Sequence, residues 1–189
     1  GGTIKPMYST ISAWNADESK MVLYRVGQGH QLYDGKTYQF IQNLDVNPAD
    51  LEQIYWHTSD PDIFFYVDGN RFIRYHVSTG DKDTLTTFPF CSSASGGSDP
   101  MYISWDSKRI GLGCGSERFI YDISTNTVIG RKTLTGGVPQ IAPSGTLAFL
   151  DGKVVFDFDN QGRGPLTDKG NWQMGADGVL TFIVQTVEG

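Results

Sequence analysis

The alternation of apolar runs and polar breaks is clearest between residues 52 and 88. Four short strand-like runs follow one another there, at residues 52–58, 63–67, 72–77 and 84–88. The breaks between them are rich in Asp, Asn, Ser, Pro and Gly, which are the residues that form tight turns. This pattern predicts a four-stranded antiparallel sheet. Its second run, IFFYV, is apolar on both faces, so we expect it to be covered from both sides.

The second strand of this unit recurs along the chain. The copies begin at Met21, Ile63, Ile110, Leu147 and Leu180, which are 42, 47, 37 and 33 positions apart. A four-stranded blade of a β-propeller takes roughly 40–50 residues, so the spacing fits this architecture. The sequence therefore predicts an all-β fold, a propeller of four-stranded antiparallel blades with about four and a half blades visible.

The predicted blades cover about residues 8–44, 52–88, 101–134 and 138–168, with a partial blade at 171–189. Only residues 47–53 have the pattern of a short helical turn. A partial blade leaves a ring open, and residues 3–7 can add at most one outer strand. We therefore expect residues 1–189 to be a single propeller domain or a fragment of one, completed by a missing segment or a second chain. An imperfect five-bladed ring is the alternative.

Composition narrows the classes of partner. The chain has 23 glycines and 13% aromatic residues, as expected of a protein rich in turns and strands. Its net charge of −6 argues against a nucleic-acid ligand, which requires a basic surface. No apolar run has the length of a membrane span, and no signal peptide begins the sequence. The initial Gly1-Gly2 without Met is compatible with a mature exported chain.

Three motifs carry a resemblance to a known superfamily. They are Trp14-Asn15-Ala16-Asp17 and Pro143-Ser144-Gly145 at the first turn of a blade, and YDISTN at residues 121–126 in a third strand. These motifs resemble the repeats of the bacterial TolB, YVTN and oligogalacturonate-lyase-like propellers. Members of that superfamily include periplasmic scaffolds, polysaccharide lyases and modules that bind sugars or peptides. The resemblance implies a fold and a periplasmic or extracellular location. It does not single out one activity.

The usual course of propeller strands predicts one face that gathers polar side chains. Those near the channel are Tyr8, Glu52, Gln53, Asp99, Gln140 and Asn171. Those farther out are His30, Asn70, Arg71, Glu117 and Arg118. Such groups suit a polar ligand such as a glycan. The alternative is that Glu52 and Asp99 accept backbone hydrogen bonds while the arginines form ordinary surface pairs.

The tryptophans divide into two groups. Trp14, Trp56 and Trp105 occupy the same register in their blades, which favours packing in the core. Trp172 lies at the start of a strand and is the best candidate for stacking on a sugar ring.

Catalytic and metal-binding patterns are weaker. A lyase needs a base and a charge neutraliser. His30, Tyr8 and Arg71 are the three residues that have suitable side chains and are predicted to lie on the same face. His30, His57 and His76 fall in different strand contexts, so we predict no shared metal site. No cofactor is expected. The acidic pairs at positions 60 and 62, 81 and 83, and 157 and 159 lack the full ligand spacing of a calcium loop.

Cys91 lies in a long connection and Cys114 at the end of a second strand. A disulfide between them suits an oxidising compartment, and two buried thiols fit equally well. We interpret the whole as an exported bacterial binding module, non-catalytic, with a polysaccharide or a protein on its loop face. The alternatives are a fragment of a propeller-type polysaccharide lyase and a structural blade set within a larger assembly.

Overall fold

The computed structural model describes residues 2–5, 12–97, 103–133 and 136–150, and the backbone of three strands at 153–157, 170–174 and 180–184. The described residues form antiparallel sheets and contain no helix. The helical turn expected at residues 47–53 is therefore wrong. The backbone there forms non-helical turns, and the N–H of Ala49 bonds to the carbonyl of Val67 at 3.0 Å, which draws the segment against a neighbouring strand.

The first sheet has four strands in the order β1-β2-β3-β4. The strands are β1 Ile4–Lys5, β2 Lys20–Arg25, β3 Gly29–Asp34 and β4 Phe40–Asn43. Of the segment 3–7, which can add at most one outer strand, Ile4 and Lys5 form β1 and pair with Arg25 and Tyr24 of β2 at one edge of the sheet. Trp14 pairs with Met21 farther along the same edge of β2.

The second sheet is the unit that the pattern predicts most clearly. Its strands, in the order β5-β6-β7-β8, are β5 Tyr55–Trp56, β6 Ile63–Asp68, β7 Arg71–His76 and β8 Lys82–Thr87. Residues 64–67 of β6 are at most 3% exposed, so the expected cover on both faces is confirmed. Val22 and Leu32 of the first sheet share a core cluster with Phe64 and Tyr66, which packs the two sheets together.

Residues 1–101 make one compact unit that contains these two sheets, and residues 102–189 make a second. The third sheet has the order β11-β10-β9, with β9 Arg109–Cys114, β10 Glu117–Asp122 and β11 Thr127–Thr133. The fourth has five strands, β12 Gln140–Ile141, β13 Leu147–Leu150, β14 Lys153–Asp157, β15 Gly170–Met174 and β16 Leu180–Val184.

The last two strands differ from the partial blade expected at 171–189. The backbone of β15 pairs with β14, at Lys153 with Asn171 and Val154 with Gly170, and β16 pairs with β15. Both strands therefore extend the fourth sheet. The sequence pattern identifies strands but not which free edge each one joins, since that choice depends on contacts distant in the sequence.

The three tryptophans of common register differ in their surroundings. Trp56 is buried, stacks edge-on against Phe64 and donates its Nε1–H to the carbonyl of Ala13 at 2.9 Å. The expected core role is confirmed for this residue. The expected core role is wrong for Trp105, which is 75% exposed. It is also wrong for Trp14, which is 38% exposed. Register fixes where a side chain lies along a strand, whereas burial depends on what packs against it.

Candidate functional site

Several residues of the predicted ligand face lie within the first unit. We call this part the loop face and define it as residues 46–53, residues 69–71 and residues 88–97. Two backbone hydrogen bonds bring these segments to one end of the second sheet. The N–H of Ala49 bonds to the carbonyl of Val67 at 3.0 Å, and the N–H of Ala94 bonds to the carbonyl of Gly69 at 2.8 Å.

Gln53 holds the long connection of this face in place. Its side chain is 1% exposed. Its Nε2 donates to the carbonyl of Gly97 at 2.7 Å, and its Oε1 accepts from the N–H of Gly96 at 2.8 Å. A buried amide with both groups bonded in this way stabilises the loop. Gln53, predicted to contact a ligand, has instead the geometry of a structural anchor.

His30, the predicted base, is also an anchor. It is 4% exposed, and its Nε2 lies 2.6 Å from the carbonyl oxygen of Leu51. Since a carbonyl can only accept, Nε2 carries a proton and donates it to Leu51. Burial lowers the pKa of His30 below its ordinary value, outweighing the opposite effect of the hydrogen bond to Leu51. The ring is thus a neutral group that fixes the loop containing Leu51.

The remaining predicted residues of the loop face lie closer to solvent. Arg71 is exposed and forms an ion pair with Asp68. Asn70 donates its Nδ2–H to the carbonyl of Phe88 at 3.2 Å. Glu52 is half-buried, and its backbone N–H bonds to the carboxylate of Asp50. Tyr8 and Asp99 lie outside the described residues, so the trio of His30, Tyr8 and Arg71 stays a prediction.

The predicted residues of the second unit follow the alternative of ordinary structural pairing. The Nε of Arg118 donates to the carbonyl of Gly137 at 2.7 Å and its Nη1 to the carbonyl of Gly115 at 2.6 Å. The carboxylate of Glu117 accepts hydrogen bonds from Arg131 and Thr133, which lower its pKa.

Three further candidates lie in the strands of the fourth sheet. Gln140 is exposed in β12. Asn171 and Trp172 are in β15, and their side chains are outside the described part of the chain.

The acidic turns are also accounted for by local bonds. Asp62 accepts from the N–H and the hydroxyl of Ser78 at 2.7 and 2.9 Å. Asp83 bonds to Arg74 and His76 at 2.7 and 3.1 Å. Asp157 and Asp159 have no described side chain. Among the described residues, no three His, Cys, Asp or Glu side chains are grouped as metal ligands.

Neither Cys91 nor Cys114 is a free thiol. Cys91 belongs to the first unit and Cys114 to the second, and each unit is described by itself. The pairing of the two cysteines with each other therefore stays a prediction. Within the described residues no helix has the length and apolar character of a membrane crossing.

A groove between the first and second sheets was not predicted. It measures about 360 Å³ and is bordered by β4, the exposed edge strand of the first sheet. Its lining is Ser19, Lys20, Leu32, Ile41, Gln42, Pro61, Asp62, Val77 and Ser78. One signal in the sequence marks it, because residues 37–43 include no charged side chain although all of them are exposed.

Solved structures resemble this chain in fold. An oligogalacturonate lyase in complex with manganese has a TM-score of 0.53 and 14% identity, over 78% of this chain and 53% of its own. An oligogalacturonate lyase from Vibrio parahaemolyticus has a TM-score of 0.54 and 15% identity, over 80% of this chain and 45% of its own. This chain therefore spans about half the length of those two proteins. No protein-family model and no curated protein matches the sequence. The sheets and these two likenesses give the chain a β-propeller fold similar to that of oligogalacturonate lyases.

Proposed function

We propose that this chain is a non-catalytic binding module of an exported bacterial protein, and that its loop face recognises a polysaccharide. The observation that carries the proposal is that buried side chains hold the loops of that face in place. Gln53 and His30 are buried and hold residues 96–97 and 51 by their backbone. A face whose loops are fixed before binding loses little conformational entropy when a ligand arrives, which favours affinity.

The same contacts support a non-catalytic role. A general base must come within hydrogen-bonding reach of the proton that it removes. His30 is 4% exposed and its Nε2 is bonded to the Leu51 carbonyl, so the ring is poorly placed to meet a polymer at the surface. Arg71 is the exposed cation of the face, and it suits a carboxylate or hydroxyl of a glycan if it exchanges Asp68 for the ligand.

A glycan array followed by titration of the best oligosaccharide tests this proposal. Arg71→Ala is expected to weaken binding by about tenfold, the effect of losing roughly 1.4 kcal/mol of contact energy. Lys108→Ala removes the cation of another exposed pair, with Asp106 in the second unit, and is the matched control. Equal affinity of the wild type and Arg71→Ala for the glycan, or the absence of any glycan ligand, would sink the proposal.

The second candidate is a fragment of a propeller-type polysaccharide lyase. It is favoured by the two oligogalacturonate lyases among the similar structures and by the share of their length that this chain spans. On this alternative a further segment or a second chain supplies the remaining catalytic groups. Ultraviolet absorbance of unsaturated sugar ends, measured on oligogalacturonate with and without manganese, distinguishes the two candidates.

An exported location is part of the proposal. A disulfide between Cys91 and Cys114 would be stable in the periplasm or outside the cell, where oxidising conditions persist. The module requires no cofactor in this account. Secretion is tested by fractionating cells that express the protein from its complete gene, and retention of the protein in the cytoplasm would contradict it.

A further inference from the structure

The outer strand of the first sheet is open to a partner. Among the described strands β4 pairs only with β3, which leaves one row of its backbone N–H and C=O groups facing outward. All four of its residues are exposed, including Phe40 at 52% and Ile41 at 43%. Tyr38, just before it, is 64% exposed. An exposed edge that carries large apolar side chains is a template for pairing with another strand.

β8 and β11, the last strands of the second and third sheets, carry charged residues and β4 does not. Natural sheets discourage unwanted pairing by placing charges on their edges. Lys82 and Asp83 lie in β8, and Arg131 and Lys132 lie in β11. Residues 37–44 have no such charge. The edge formed by β4 therefore lacks the charges that β8 and β11 carry.

The groove beside β4 can receive side chains from an added strand. Tyr33 pairs with Phe40 and Leu32 with Gln42, so Ile41 is the extra residue of a β-bulge. A bulge re-aims side chains, and Ile41 and Gln42 both line the groove. Leu32 and Val77 contribute apolar surface on the sides of the two sheets. An apolar side chain of a bound strand would be buried there.

Lys20 places a positive charge in the lining of the groove. Its hydrogen bond to the Ser19 carbonyl is long, at 3.4 Å, and it forms no salt bridge with a described carboxylate. Asp34, its partner across β2 and β3, accepts from the N–H groups of Lys36 and Thr37 at 3.0 and 2.7 Å. Asp62 accepts two hydrogen bonds from Ser78. Asp62 is the second charged side chain of the groove. The hydrogen bonds from Thr37 and Lys36 lower the pKa of Asp34, and attraction to the Lys20 ammonium is a further effect that lowers it. Lys20 forms no ion pair with either of these carboxylates, so a ligand carboxylate can pair with it.

We propose that β4 and the adjoining groove bind an extended acidic segment of a partner protein by strand addition. The backbone of the segment pairs with β4, an apolar side chain enters the groove, and a carboxylate pairs with Lys20. A second copy of this chain fits less well. Residues 37–44 supply no carboxylate for Lys20, and a four-residue edge is too short for the roughly 1,000 Å² that a stable dimer buries. This surface is separate from the loop face of the proposed function.

Panning a random-peptide library on the full chain tests the inference. The expected ligands alternate apolar and polar residues and include Asp or Glu. Measured by fluorescence polarisation with these peptides, Ile41→Lys and Lys20→Met should each weaken binding at least about tenfold, one by charging the edge and filling the groove, the other by removing the ammonium. Thr87→Lys, which places lysine in the outer strand β8, is the matched control and should bind normally.

Three further measurements keep the outcome unambiguous. Circular dichroism should show that both variants keep the fold, because Ile41 is 43% exposed and Lys20 half-buried. Methylation of the peptide amides that face β4 should abolish binding, since strand addition requires those N–H groups. The glycan affinity of the loop face should be unchanged in Ile41→Lys, so failure of this inference and failure of the proposed function are separate results. Peptides that bind Ile41→Lys as tightly as the wild type, no enriched peptide, or dimerisation through β4 would overturn the inference.

Discussion

Individual polar residues in the interior of the first unit position the chain instead of a substrate. Gln53 bonds to residues 43 and 44 positions away, and His30 to a residue 21 positions away. Their residue types and approximate face followed from the strand pattern. Their burial did not, because it depends on loops that return from distant parts of the sequence. A buried amide and an exposed one look the same in a sequence.

Removal of the Gln53 side chain should destabilise the first unit. Gln53→Ala leaves the N–H of Gly96 and the carbonyl of Gly97 without their side-chain partners, and each loss of this kind costs about 1–3 kcal/mol. Urea denaturation followed by fluorescence measures the free energy of unfolding. Gln140→Ala, at an exposed glutamine of β12, is the control and should change stability by less than about 0.5 kcal/mol. Equal stability of the two variants would mean that Gln53 is no anchor.

His30 should make stability dependent on pH. Burial lowers its pKa below the ordinary 6.5, so the unfolded chain binds a proton at a higher pH than the folded chain does. The resulting stability is complete above pH 6.5 and is lost as the pH falls through the lowered pKa. His30→Gln cannot take up this proton and should flatten that part of the profile. Denaturation midpoints measured across this pH range test the prediction, with His57→Gln as the control. If His30→Gln and His57→Gln both kept the wild-type slope, the prediction would be wrong.

At the scale of elements, local chemistry predicted most strands and their antiparallel order. The turns at 59–62, 69–70 and 78–80 reverse the chain where the sequence indicates, because Pro, Asn and Gly have the required backbone geometry. The edges were predicted less well. Ile4 and Lys5 joined β2, and β15 joined β14. Short terminal strands have too few residues for their pattern to specify a neighbour.

The close approach of β9 and β12 depends on glycine. A Cβ at Gly111 would overlap the carbonyl oxygen of Pro139, in the segment that leads into β12. Gly111→Ala should therefore destabilise the second unit by about 1–3 kcal/mol through overpacking. Thermal unfolding of this variant, compared with Lys132→Ala at an exposed position of β11, measures the effect. An unchanged transition would show that the two segments separate easily.

At the scale of the whole molecule, the covalent link between the units is a prediction. A disulfide between Cys91 and Cys114 closes a loop of residues 91–114, and such a loop stabilises a fold by on the order of 3 kcal/mol. Alkylation in denaturant should modify no thiol before reduction and both of the chain's 2 cysteines afterwards, as read by intact mass. Modification of both thiols in the unreduced chain would show that they are not paired.

For the whole molecule, the fold can be predicted from the sequence more readily than the function. Repeated turns and strands are enough to indicate a propeller, and the similar structures share that fold at 14 and 15% identity. Function depends on which side chains reach solvent and which are bonded internally, and a propeller accommodates many arrangements. This is why the strands could be read from the sequence while the roles of Gln53, His30 and Arg118 required the structure.

We propose that the chain binds a polysaccharide without cleaving it. The most direct test is one titration with oligogalacturonate and other acidic and neutral oligosaccharides, in which calorimetry records binding and ultraviolet absorbance records unsaturated ends in the same samples, with and without manganese. We expect saturable binding of at least one glycan and no unsaturated product with any of them. Accumulation of unsaturated ends, in proportion to the protein added, would contradict it and establish a lyase.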